Sequence, residues 1–130
     1  MDVWTGGMLL EKSTFLSDRE DLKQFHSKLA AKLGLNESII LQQIDYWIEK
    51  NRKADNNYRK GRYWTYNTYE GWQRNNFQFW SVRTIIRAVN NLEEKGLIIS
   101  DNFNKAGFDR TKWYTIDYDR LQEVELEIYT

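Results

Sequence analysis

The sequence predicts an α+β fold, mainly α, because it contains two kinds of apolar pattern. Apolar residues recur at helical spacing in several segments, most clearly within residues 82–92. The members of that stripe are Val82, Ile85, Ile86, Val89 and Leu92. Residues 97–103 and 111–118 are instead rich in β-branched and aromatic residues, and the segment between them contains a glycine, which is typical of a β-hairpin. The chain therefore combines several helices with a small antiparallel sheet.

The composition favours a single domain without a catalytic or metal site. The chain has 130 residues, of which 41% are hydrophobic, and this is enough for one core. It contains no cysteine, which excludes disulfides and thiolate metal sites, and its one histidine, His26, cannot form a histidine cluster. It has no nucleophile elbow or phosphate-binding loop motif. We therefore expect neither an enzyme nor a bound cofactor or metal.

A cytoplasmic protein with no membrane partner is expected. No apolar run in the sequence approaches the length that spans a membrane. The N-terminal residues MDVWTGGMLLEKS lack the basic and apolar regions of a signal peptide, and the absence of cysteine fits a reducing compartment.

The net charge of zero conceals an uneven distribution along the chain. Residues 1–49 carry 5 basic and 8 acidic side chains, residues 50–112 carry 13 and 6, and residues 113–130 carry 1 and 5. The central block is therefore strongly positive between two negative ones. Such a block is typical of a nucleic-acid-binding surface, and chance clustering on a solvated surface is the alternative.

The sequence of residues 1–34 predicts an N-terminal arm followed by a helix. Ser17 and Glu20 have the spacing of a capping box, and apolar residues follow at spacings of three and four. These apolar residues are Leu22, Phe25, Leu29 and Leu33. A helix is therefore expected from about Ser17 to Leu33, ended by Gly34, with His26 on its surface or at the edge of the core.

A second helix is expected from about Asn36, its N-cap, to Asn51. Its apolar face is wide enough to cover both the domain core and a second subunit. That face consists of Ile39, Ile40, Leu41, Ile44, Trp47 and Ile48. The polar and basic segment 50–62 is expected to be an exposed loop, which is either simply solvated or in contact with phosphates.

Residues 63–80 predict a short strand, a short helix and a structured turn. Tyr63–Tyr66 is β-prone, and Asn67 is the expected N-cap of a helix that ends near Arg74. The turn after this helix is too apolar for a free loop, so its aromatic residues are expected to fix it to the core. They are Phe77, Phe79 and Trp80.

The remaining order of elements matches a winged helix-turn-helix. Ser81 is the expected N-cap of a longer helix, which Gly96 ends, and a hairpin with the tip NKAGFD follows. In this fold the longer helix is the recognition helix and the hairpin is the wing. Strand, helix, turn, helix and hairpin occur here in that order.

We expect one domain over residues 1–130. It would consist of an arm and helix over 1–34, a winged-helix core over 35–118 and a tail over 119–130. The tail sequence VELEIY alternates like a strand, but its apolar residues also fit a helix. Those residues are Leu121, Val124 and Ile128. The tail either packs back on its own domain or contacts another copy of the chain.

The face of the recognition helix opposite its apolar stripe is basic and rich in amides. Arg83 and Arg87 lie one turn apart on this face. Arginine can pair with guanine edges and asparagine with adenine edges, while cations of the wing suit phosphates or the minor groove. The candidate DNA-binding residues are Thr68, Arg74, Ser81, Arg83, Thr84, Arg87, Asn90, Asn91, Lys105, Arg110 and Lys112.

The chain also resembles a known family in four phrases: LAAKLGLNESIILQQIDYWIEKN, RYWTYNTYEGWQ, FWSVRTIIRAVNNLEEKGLI and DRTKWYTIDYDRL. They are similar to the N-terminal domain of phage and plasmid replication initiation proteins, the replisome-organiser and DnaD-like proteins of Gram-positive bacteria. The resemblance covers residues 29–121. It implies an oligomeric winged-helix origin binder, whose further partners would be the replicative helicase or its loader.

The sequence therefore predicts sequence-specific binding of double-stranded DNA, with origin recognition for a phage or plasmid replication initiator as the first hypothesis. A transcriptional or conjugation regulator with the same fold is one alternative, and an oligomerisation module that reads no bases is another. Because origins and operators present repeated half-sites, a homodimer or higher oligomer is expected.

Overall fold

The computed structural model describes residues 14–17 and 21–129, and within them the α+β class is confirmed. The helices are α1 (Thr14–Ser17), α2 (Ser27–Leu33), α3 (Leu35–Ala54), α4 (Tyr69–Asn75), α5 (Val82–Glu94) and α6 (Tyr118–Tyr129). The strands are β1 (Tyr58–Arg59), β2 (Arg62–Tyr63), β3 (Thr65–Asn67), β4 (Ile98–Asp101) and β5 (Lys112–Ile116). No helix in these ranges has both the length and the apolar character needed to cross a membrane. Residues 1–13 of the predicted arm and residues 18–20 of the predicted capping box lie outside the described residues.

The strands form two antiparallel units. One is a three-stranded sheet in the order β3-β5-β4, with Thr65 opposite Tyr114 and Ile98 opposite Ile116. The other is the small β1–β2 hairpin, in which Tyr58 is opposite Tyr63. Strand β5 is hydrogen-bonded on both edges and is the most buried strand, which is consistent with its apolar sequence.

The core lies where α3 and α5 meet the three-stranded sheet. Helix α3 contacts α2, α5 and β5, and α5 also contacts α4 and β4. Ile44 of α3, Leu92 of α5 and Tyr114 of β5 are almost completely buried in this core. Helix α6 adds Val124 to the core and packs against α2. The predicted apolar faces of α3 and α5 are therefore the faces that the core uses.

The helix predicted from Ser17 to Leu33 is wrong over much of its length. Residues 21–26 are not helical, and α2 begins only after His26, whose Nδ1 accepts a hydrogen bond from the Lys28 backbone N–H at 3.2 Å. The preceding segment instead lies along α3, where Lys23 donates to Gln43 at 3.3 Å. Its Leu22 and Phe25 remain about half exposed, so the helical spacing of these residues does not correspond to a buried face.

Several predicted boundaries in the next segment also need correction. Helix α3 begins after Gly34 rather than at Asn36, and it continues to Ala54 instead of ending near Asn51. Most of the predicted loop 50–62 is therefore regular structure: the last turn of α3 and then β1 and β2. The tight turn between these strands uses Lys60 and Gly61, both with positive φ, which lets the polar sequence form a hairpin.

The predictions for the helix caps and for the turn before α5 are only partly confirmed. Ser81 caps α5 as predicted. The N-cap of α4 is Thr68 rather than Asn67, whose Oδ1 instead accepts from the Thr68 backbone N–H. Phe77 is buried in the core, but Phe79 is 58% exposed and packs edge-on against Trp80.

The ambiguous tail is a helix, and α6 docks on its own domain. Val124 is 3% exposed within the core, whereas Leu126 on the same helix is 66% exposed. Lys32 of α2 forms an ion pair with Glu127 of α6 at 3.3 Å. Of the two patterns in the tail sequence, the helical spacing of its apolar residues therefore predicted the structure correctly, and the strand-like alternation did not.

Val124→Ala is expected to lower the free energy of unfolding by about 1–3 kcal/mol, because it removes methyl groups from a filled core. Leu126→Ala is the matched control on the same helix and should change it by less than about 0.5 kcal/mol. Urea denaturation measures both values. Equal stabilities of the two variants would mean that α6 does not dock on this core in solution.

Candidate nucleic-acid interface

Helices α4 and α5 are joined by a turn that is hydrogen-bonded and packed rather than open. The side-chain amide of Gln73 donates to the Trp80 carbonyl at 3.0 Å, and that of Gln78 donates to the Arg74 carbonyl at 2.9 Å. The buried ring of Phe77 stacks on Trp80, with ring centroids 5.0 Å apart. These contacts fix the angle at which α5 leaves the turn.

Helix α5 buries one face and exposes the other. Ile85, Ala88, Val89 and Leu92 are all within the core. Because successive residues of a helix are about 100° apart, this burial directs Arg83, Arg87 and Asn90 outward, where they are accessible to solvent. At the first turn the Ser81 hydroxyl accepts from the Thr84 backbone N–H at 3.1 Å and stabilises the helix start.

The arginines on the outer face of α5 have no acid within ion-pair distance, a property that they share with more than half of the cations in the described residues. Within the described ranges, Arg74, Arg83, Arg87 and Lys105 take part in no ion pair. Paired cations are, in contrast, Lys32, Arg52, Lys60, Arg110, Lys112 and Arg120. The unpaired cations of α4, α5 and the β4–β5 hairpin are therefore available to pair with an external anion.

Other candidate residues are occupied by contacts within the protein. Thr68 and Ser81 are helix caps, and the Ser81 hydroxyl also lies 3.0 Å from the Thr84 hydroxyl. The side-chain amide of Asn91 donates to Glu37 Oε2 of α3 at 2.7 Å, which ties α5 to α3. Arg110 lies 3.8 Å from a carboxylate oxygen of Glu70 but remains largely exposed.

Lys112 is a structural residue at the root of the β4–β5 hairpin. Its Nζ lies 3.0 Å from Glu93 Oε2 of α5 and 3.0 Å from the Tyr69 hydroxyl of α4. Partial burial favours the neutral amine, but the bonds to Tyr69 and Glu93 outweigh it and raise the pKa of Lys112. Glu93 also accepts a hydrogen bond from Ser100 of β4. This cluster joins α4, α5 and the hairpin.

The β1–β2 hairpin is a basic element that the sequence did not resolve as regular structure. The Arg59 guanidinium lies 5.5 Å from the centre of the Phe103 ring and 5.6 Å from that of Trp113. Lys60 donates to Asp101 at 2.9 Å, and this hydrogen bond lowers the pKa of the Asp101 carboxyl. The run RKGR at residues 59–62 was the available signal, since a glycine between basic residues suits a tight turn. Arg62, which is opposite Arg59 in this hairpin, is exposed.

A cleft of about 680 Å³ lies between α3, β2 and the start of α6. Its walls mix Arg52 and Arg62 with Glu49, Asp117 and Asp119, so it has no single charge. Among the described residues, no group of three or more acidic or histidine side chains is placed to hold a metal ion. The basic face of α5 has the more uniform charge of the two surfaces.

No family model, no curated protein and no solved structure matches this chain.

Lys112→Ala is expected to lower the free energy of unfolding by about 1–2 kcal/mol, because it removes a charge-assisted contact that joins three elements. Lys105→Ala, which removes an exposed and unpaired cation of the same hairpin, should change it by less than about 0.5 kcal/mol. Chemical denaturation at neutral pH compares them. If the two substitutions cost the same, Lys112 does not anchor the hairpin.

Proposed function

We propose that this chain is a winged helix-turn-helix protein that binds double-stranded DNA. In this proposal α5 is the recognition helix and the β4–β5 hairpin is the wing. The observation that carries it is the outer face of α5, where Arg83, Arg87 and Asn90 face solvent and the two arginines have no acidic partner in the described chain.

The shape and chemistry of this face suit the major groove. A helix with one face free fits the width of the major groove, and arginine and asparagine can form paired hydrogen bonds with guanine and adenine edges. Arg74 of α4 and Lys105 of the hairpin are further exposed cations. Exposed cations that have no internal partner can release counterions when they bind phosphates, which favours association with DNA.

Origin recognition for a phage or plasmid replication initiator is the specific role that we propose. The sequence resemblance supports this role, because the geometry of a DNA-reading helix is the same at an origin and at a promoter. Footprinting separates the two, since an initiator protects repeats within an origin and a regulator protects an operator. Self-association remains a prediction. The docking of Val124 favours intramolecular packing for the tail and leaves residues 1–49 as the expected contact.

The double substitution Arg83→Ala/Arg87→Ala is expected to weaken binding to a DNA duplex enriched from a random library by the native protein. Removal of an arginine that pairs with a guanine edge should cost about 1–3 kcal/mol of binding free energy and relax the preference at one base position. Fluorescence anisotropy measures the affinity, and a repeated enrichment with the variant measures the preference.

The control is Lys28→Ala/Lys32→Ala, which removes two cations at the same spacing from α2. Because Lys32 is paired with Glu127 of α6, the stability and the sedimentation of this variant are measured beside its affinity. Helix α2 packs on α3 and α6 rather than on α5. This control should retain nearly all of the affinity. If both double variants bind as tightly and as selectively as the native protein, α5 is not a recognition helix.

A further inference from the structure

The β4–β5 hairpin carries the most exposed large apolar side chain among those for which exposure is described. Phe108 at its tip is 89% exposed. Phe103, in the same loop, has the opposite environment, because its ring packs edge-on against Trp64 and Trp113 with centroids 5.0 and 5.3 Å away. One phenylalanine thus anchors the loop, and the other projects from it into solvent.

The tip that carries Phe108 is a hydrogen-bonded turn. The Asp109 backbone N–H donates to the Ala106 carbonyl at 3.1 Å, which closes a turn with Gly107 and Phe108 at its centre. The side-chain amide of Asn104 donates to the Thr111 carbonyl at 2.6 Å and closes the loop from the other side. Hydrogen bonds therefore restrict the backbone that carries Phe108, and this restriction lowers the conformational entropy lost when its ring is bound.

The base of this loop is also fixed. The Trp113 indole N–H donates to Asn104 Oδ1 at 2.9 Å, and the Trp113 side chain is almost fully buried. The carboxylate of Asp109 accepts from the Thr111 backbone N–H at 2.9 Å, so the one acid of the tip is already engaged within the loop.

Phe108 follows Gly107, which has no side chain, and two cations, Lys105 and Arg110, flank it along the chain. Lys105 is unpaired within the described residues, and Arg110 keeps 78% of its side chain exposed although it lies 3.8 Å from a carboxylate oxygen of Glu70. Apart from its immediate neighbours, no atom of the described chain lies within 4 Å of the position that a Gly107 side chain would occupy, so the backbone can approach a ligand closely. A narrow apolar tip between cations is complementary to a groove lined by phosphates.

We propose that Phe108 inserts as a wedge between two base pairs from the minor groove, while Lys105 and Arg110 contact the phosphates on either side. This inference rests on the proposed function, since it requires the hairpin to act as the wing of a DNA-binding protein. Apolar wedges of this kind unstack one base step and kink the duplex, which allows more of the protein to contact the DNA. Flexible pyrimidine–purine steps are the preferred sites because they unstack most easily.

A protein partner is the less favoured occupant of this tip. A pocket for Phe108 on a protein would also have to neutralise the two flanking cations, whereas a DNA groove supplies both an apolar base step and phosphates.

The first test separates apolar insertion from phosphate contact. Phe108→Ala should weaken binding to the enriched duplex on the order of tenfold without changing the slope of log affinity against log salt. Lys105→Ala should instead reduce that slope by about one unit. Phe108→Leu, which keeps an apolar wedge, should retain most of the affinity, and Leu126→Ala is the control for loss of an exposed apolar residue.

The second test observes the base step directly. 2-Aminopurine placed in turn at each adenine of the same duplex should brighten at one step when the native protein binds, because the base becomes unstacked. That signal should be absent with Phe108→Ala and present with Lys105→Ala at saturating protein.

The outcomes of these tests distinguish failure of the Phe108 wedge from failure of the proposed DNA-binding function. If the native protein enriches no duplex, both are wrong. If binding depends on Arg83 and Arg87 but Phe108→Ala has native affinity and no base step brightens, only the wedge is wrong. If Phe108→Ala abolishes self-association in sedimentation and leaves the base-step signal unchanged, Phe108 contacts another copy of the chain instead.

Discussion

The structure depends on the burial of one face of α5. Ile85 and Leu92 are completely buried, and they pack this helix against α3, α4 and β4. Each such side chain stabilises the fold by about 1.5–3 kcal/mol relative to leaving it in water. Because the helix has a fixed period, the same burial determines which residues face outward. The outward position of Arg83 and Arg87 is therefore a consequence of the core.

The position of the hairpin relative to α5 follows from a second set of contacts. Glu93 of α5 binds Lys112 of β5, and the ring of Phe103 packs under the tip against Trp113. A flexible hairpin could bind DNA only at an added entropic cost, which these contacts reduce. The anchored root and the exposed tip with Phe108 thus have different environments, although both lie within one hairpin.

The sequence predicted best what depends on local pattern, and less well what depends on distant partners. The stripe and cap of α5 are local, and both occur as predicted. The spacing at Leu22 is also helical, but that segment lies along α3 without forming a helix, so periodicity alone was misleading.

The β1–β2 hairpin was missed because its polar residues resemble a loop and its turn needs Lys60 at positive φ. The pairing of Asn91 with Glu37 joins residues 54 positions apart, and no sequence pattern indicates it. The tail sequence fitted both a strand and a helix, and the burial of Val124 against the core accompanies the helix.

The proposed function requires that the outer face of α5 binds duplex DNA. The most direct measurement follows the side-chain Nε–H NMR signals of the arginines while the enriched duplex is added. The account predicts that the signals of Arg83 and Arg87 shift, and that the signal of Arg120, which is paired with Glu123 on α6, does not. Shifts confined to Arg120, or no arginine shift at saturating duplex, would contradict it.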